Sequence, residues 1–96
     1  MGIVVRYAPT NLTKQQYDET IQAVNAELGE DAPDGARLHV CFGEDGDLRV
    51  SEIWDSREQW EAFGERLMPI LARMGVQPNP PDVYEVHNIF AHFPAE

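Results

Sequence analysis

Residues 39–74, HVCFGEDGDLRVSEIWDSREQWEAFGERLMPILARM, decide the fold, because they write a β-hairpin, a helix cap and an amphipathic helix in unbroken succession. The polar tip at 44–47 separates two β-rich runs, which is how a hairpin reads in sequence. Asp55 or Ser56 then offers a side-chain oxygen to a helix start, with Glu58 or Gln59 three residues on to complete a capping box. Trp60, Phe63, Leu67, Leu71 and Met74 follow at helical spacing. Pro69 is expected to kink or split that helix and Gly75 to end it.

Working outward, residues 37–42 and 48–54 are the hairpin strands. Pairing Phe42 with Leu48 sets Val40 opposite Val50 and Leu38 opposite Glu52, a register that keeps like with like. Upstream, residues 3–7 (IVVRY) read as a strand closed by Pro9, and Thr13 caps a helix that carries Tyr17, Ile21, Val24 and Leu28 until Gly29 stops it. Downstream, PNPPD is a stiff loop and residues 83–90 form the last strand. The order βαββαβ is that of an α+β, ferredoxin-like domain over residues 1–96, with a four-stranded antiparallel sheet and both helices on one face. Strands 3–7 and 83–90 carry apolar residues at both parities, as strands buried on two faces do. Two helices cover one face, so the other is expected to pack on a second copy.

Charge narrows the partners. Seventeen acidic against seven basic residues give a formal charge of −10, which repels phosphate backbones and anionic headgroups, so neither nucleic acid nor a membrane surface is expected as a partner. The lone Cys41 permits no internal disulfide and reads as a packed small hydrophobe. The N-terminal MGIVVRYAPT lacks the pattern of a signal peptide, and Arg6 stands where a myristoylation signal needs Ser or Thr, so a cytoplasmic protein is expected.

The run EIWDSREQWEAF, followed by RLMPIL and a C-terminal YEVHN, resembles the dimeric α+β barrel superfamily over essentially the whole chain. Within it the chain is most similar to small proteins grouped near the antibiotic-biosynthesis monooxygenases, many without assigned activity. The resemblance implies a homodimer with facing sheets, and a pocket between sheet and helices in each protomer. It also implies a range of chemistries: metal- and flavin-free oxidation of polyketide aromatics, cyclisation, isomerisation, haem degradation, or none known. The haem-degrading members carry a ligating histidine on the second helix, and residues 57–74 contain none; their first-strand asparagine is absent too. The resemblance therefore implies no bound cofactor here, and carries over only Trp54 as a pocket residue.

His39 and His87 are the candidate catalytic groups, since an unperturbed imidazole exchanges protons near neutral pH. The chosen register puts His39 beside Ser51, with Cys41 and Arg49 on the same face, and the last strand carries His87 with Glu85. The structural alternative is a histidine satisfied by a backbone or hydroxyl partner. Trp54, Ser51, Glu52 and Tyr84 are the candidate substrate contacts. Glu52 could be a base if buried, or pair with Arg6 or Arg37, the ion pair being favoured. No ligand spacing of the paired-histidine type is present, so no metal site is expected.

Two functions remain open at this point. One is a homodimeric cavity protein acting on a small apolar or aromatic, polyketide-like molecule, either as a cofactor-independent monooxygenase with a histidine acid/base or as a cyclase or isomerase. The other is a non-catalytic ligand-binding or stress-associated dimer, whose core would be filled.

Overall fold

The computed structural model describes residues 2–92. Its elements run β1 (Ile3–Tyr7), α1 (Lys14–Leu28), β2 (Ala36–Glu44), β3 (Asp47–Trp54), α2 (Arg57–Arg73) and β4 (Asp82–Glu85). The strands form one antiparallel sheet in the order β2-β3-β1-β4, which is the ferredoxin-like arrangement.

Local chemistry explains the helix starts. Thr13 and Ser56 are both extended N-caps whose hydroxyls accept from the amides of Gln16 and Gln59, three residues on, at 3.0 and 3.2 Å. Each hydroxyl satisfies one of the orphan amides of a first turn. Of the kink or split expected at Pro69, the split does not occur: the second helix runs through it from Arg57 to Arg73. Pro69 is exposed, so its ring meets solvent and the helix loses one internal hydrogen bond without dividing.

The hairpin register differs from expectation by one residue. Glu44 faces Asp47 across a two-residue Asp45-Gly46 turn, with Gly46 at φ 88°, so Phe42 pairs with Arg49, Val40 with Ser51 and His39 with Glu52. A tight turn fixes the register, whereas matching like residues would have needed a five-residue tip. Because side chains alternate, the one-residue slip transfers His39 from the face of Ser51 to the face of Glu52.

The last strand is also shorter than expected. It ends at Glu85, and one more ladder bond, Val86 N–H to the Gly2 carbonyl at 2.9 Å, precedes a bend at His87.

The helix-facing side of the sheet carries Ile3, Val5, Val50 and Trp54, all buried, with Trp54 only 2% exposed. Tyr7, Trp60, Phe63 and Val83 pack around them. Burying each such side chain stabilises the fold by about 1.5–3 kcal/mol. The opposite side carries Val4, Leu38, Val40, Ile53 and Tyr84, interrupted by Arg6, Arg49 and Ser51. There Phe42 is 40% and Tyr84 58% exposed, and neither helix covers them.

Candidate functional site

A cavity of about 420 Å³ lies between the sheet and the helices. Its polar groups include Tyr7, Tyr17, His39 and Glu52, and much of the remaining wall is aliphatic or aromatic, with Trp54 and Phe63 tilted at 36° and 5.7 Å between ring centroids. This is the size and character of a small-molecule site.

The polar groups are linked into one chain of hydrogen bonds. Trp54 Nε1–H donates to Glu52 Oε1 at 3.0 Å, and His39 Nδ1 lies 2.7 Å from Glu52 Oε2. A carboxylate only accepts, so in the neutral imidazole the proton sits on Nδ1 and Nε2 is left as the acceptor. That acceptor is met by the Tyr17 hydroxyl at 2.7 Å, the two rings meeting end-on with their planes 24° apart. Glu52 thus holds the tautomer and orientation of His39 while Trp54 holds Glu52. Burial pushes the Tyr17 hydroxyl up to about 12, with Cys41, Glu52 and Asp18 adding to the effect. Burial also raises Tyr7, whose oxygen accepts from Trp60 Nε1–H at 2.8 Å.

The elements hold this chain in place from both sides. His39 and Glu52 face each other across the hairpin, while Tyr17 stands on the first turn of α1. The hairpin tip reaches that turn directly: Lys14 N–H donates to Asp45 Oδ1 at 2.9 Å, and Leu48 N–H to the Leu12 carbonyl at 3.2 Å. Gln16 ties the same turn to the end of α2 through the carbonyls of Met74 and Gly75.

Of the residues singled out in the sequence, His39, Glu52 and Trp54 line the cavity together. Glu52 does not take the expected arginine partner, because Arg37 pairs with Asp55 at 2.6 Å and Arg6 projects from the other face of the sheet with Ser51. Ser51 borders a smaller cleft of about 200 Å³ on that other face, with Arg6, Arg49 and Asp82. Tyr84 is on the same outer face, and His87 is exposed beyond the end of β4. Cys41 is half-buried and free, and burial followed by Asp18 raises its thiol, which fits a packed residue better than a nucleophile. Among the described residues no three His, Cys, Asp or Glu side chains converge as a metal site, and no helix is long and apolar enough to cross a membrane.

Tyr17 is the group that reading the sequence missed. In the sequence it reads as one apolar position in a stripe, yet a tyrosine on a core-facing stripe brings a hydroxyl that needs a partner inside. That requirement was the available signal.

No protein-family model and no curated protein sequence matches the chain. Solved structures do resemble it. SnoaB, a cofactor-independent oxygenase from Streptomyces nogalater, superposes with a TM-score of 0.62 over 95% of this chain and 96% of its own, at 9% identity. A candidate antibiotic biosynthesis monooxygenase from Chloroflexus aurantiacus J-10-fl gives 0.60 over 95% and 97%, at 17% identity. Another from Deinococcus radiodurans gives 0.56 over 98% and 100%, at 15% identity. The fold is therefore that of the antibiotic biosynthesis monooxygenase-like proteins.

Proposed function

We propose that this protein is a cofactor-independent monooxygenase acting on a small, largely apolar aromatic or polyketide-like molecule with an acidic hydroxyl, and that His39 is its base. The observation that carries the reading is the imidazole fixed by Glu52, with its basic nitrogen turned toward Tyr17 at the wall of an open, mostly apolar cavity. Loss of the hydroxyl proton leaves an electron-rich anion that reacts directly with dioxygen. At an activated methylene the balance is CH2 + O2 → C=O + H2O, and the substrate supplies all four electrons. The apolar wall, with Trp54 and Phe63, seats the aromatic rings of such a substrate beside the base. The likeness to an oxygenase described as cofactor-independent supports the same chemistry.

The reading extends to assembly. A second copy would cover the outer sheet face, where Val40, Phe42 and Tyr84 are exposed. Light scattering should give twice the 10.9 kDa chain mass for the native protein and a monomer for Phe42→Asp; a native mass near 10.9 kDa refutes the dimer. A cytoplasmic setting, with Cys41 as a free thiol, goes with this reading.

The function itself is tested with an oxygen electrode and a panel of phenolic and anthrone-like compounds. The expected result is one O2 consumed per product, and a His39→Ala protein that folds but turns over about 10²-fold or more slower. Tight binding without oxygen uptake, together with a His39→Ala protein that loses only stability, would move the assignment to a ligand-binding module.

A further inference from the structure

Both nitrogens of His39 are already engaged, Nδ1 with Glu52 and Nε2 with Tyr17, each at 2.7 Å. A substrate proton therefore reaches the imidazole in one of two ways: Tyr17 moves aside, or Tyr17 carries the proton. We propose that Tyr17 carries it, as the catalytic residue that meets the substrate hydroxyl, so that the ligand is an aromatic alcohol docked with its hydroxyl at the Tyr17 end of the cavity. This inference rests on the function proposed above and names the group that makes contact.

Three observations favour transfer through Tyr17 over its displacement. The first turn of α1 is held by the Thr13 cap, by Asp45 on the hairpin tip, and by Gln16 on the end of α2, so the backbone under Tyr17 is anchored on three sides. The Tyr17 and His39 rings approach end-on, their planes 24° apart and their centroids 6.1 Å apart, so the hydroxyl is already aimed along the path a proton would take to Nε2. The hydroxyl, having donated to Nε2, keeps oxygen lone pairs with which to accept from a second hydroxyl.

The proton balance is closed. The substrate O–H bond breaks as its proton forms a new O–H bond on Tyr17, and the former Tyr17 proton forms an N–H bond on His39 Nε2. A substrate oxyanion, a neutral tyrosine and an imidazolium against the Glu52 carboxylate result, with no electron transferred. The raised pKa of Tyr17, a consequence of its burial, fits this sequence, because a free tyrosinate is disfavoured there and the two transfers must proceed together.

The test uses the full chain and 4-nitrophenol, whose absorbance distinguishes phenol from phenolate. Native protein should bind it with more phenolate than free probe shows at the same pH. Tyr17→Phe, which keeps the ring, should bind within about threefold of native yet lose about tenfold in the ratio of ionised to neutral bound probe, as should His39→Gln. Thermal melts verify folding, and 3-fluorotyrosine placed at Tyr17, which restores a hydroxyl, should restore ionisation; a purely structural Tyr17 would leave the absorbance signature unmoved. If Tyr17→Phe keeps the native ratio while His39→Gln loses it, the imidazole takes the proton directly; the inference then fails and the proposed function stands. If native protein leaves the probe un-ionised, or His39→Gln ionises it as well as native does, both fail.

Discussion

Replacing Glu52 with Gln should reverse the direction of the hydrogen-bond chain while leaving its geometry in place. Trp54 decides the outcome, because its buried Nε1–H needs an acceptor and so must claim the amide oxygen of the new side chain. The amide NH2 then faces His39 and donates to Nδ1, which forces the imidazole proton onto Nε2 and obliges Tyr17 to accept. His39 no longer has a lone pair for a proton arriving through Tyr17. The stability change is modest: two hydrogen bonds to a carboxylate become neutral ones, a loss of about 1 kcal/mol each, partly offset by no longer desolvating a carboxylate whose side chain is only 13% exposed. A net destabilisation of about 1 kcal/mol is expected, against a loss of about 10²-fold or more in turnover. Urea denaturation measures the first. Nitrogen-15 shifts of the His39 ring, recorded where the ring is neutral, report the tautomer directly. A Glu52→Gln protein whose His39 proton remains on Nδ1, or one that keeps native turnover, refutes the assignment of Glu52 as the group that sets the tautomer. Glu52→Leu separates stability from chemistry, since it strands the Trp54 N–H and should cost about 1–3 kcal/mol in the same denaturation experiment.

The other two expectations concern a cap and an alkaline titration. Ser56→Ala removes the acceptor for the Gln59 amide and should cost about 1 kcal/mol, read as a lower urea midpoint with unchanged slope; an unchanged midpoint would mean that water caps α2 equally well. Tyr17 is held protonated up to about 12 in the folded chain against 10 in the unfolded one, so its contribution to stability is fully present below pH 10 and is lost as pH rises from there toward 12. Linkage gives about 2.7 kcal/mol for that gap, and solvent screening of a half-exposed hydroxyl reduces it to about 1 kcal/mol. The stability difference between native protein and Tyr17→Phe should therefore shrink by that amount between pH 10 and 12, and a difference that stays constant would show that Tyr17 is not protected from ionisation.

Much of the fold was legible residue by residue. Thr13 and Ser56 announce their helices because a cap is a local bargain between one hydroxyl and an amide three residues on. The stripe of Trp60, Phe63, Leu67 and Leu71 specifies a helix with one buried side whatever it packs against. The candidate site was legible only in part: of the six candidates His39, Glu52 and Trp54 meet at the cavity while Ser51, Tyr84 and His87 lie elsewhere, Tyr17 is not among them, and His39 and Glu52 face each other instead of Ser51 and an arginine.

The amino-acid sequence by itself determined the element order, the caps and the ferredoxin-like topology, because each follows from interactions between residues close in the chain or from the periodicity of apolar side chains. Tertiary structure decided which chemistry-bearing groups meet. Strand pairing about the two-residue Asp45-Gly46 turn, a local signal that outweighs the matching of like residues, turned His39 toward Glu52, and docking of α1 on the hairpin tip laid Tyr17 against the other nitrogen of that histidine. His87 and Tyr84 went elsewhere when β4 ended at Glu85 and exposed its outer face. A hydrogen bond forms only within about 3 Å and on one side of a sheet, so a register slip of one residue, which hardly disturbs the apolar pattern of a two-faced strand, rewires the site.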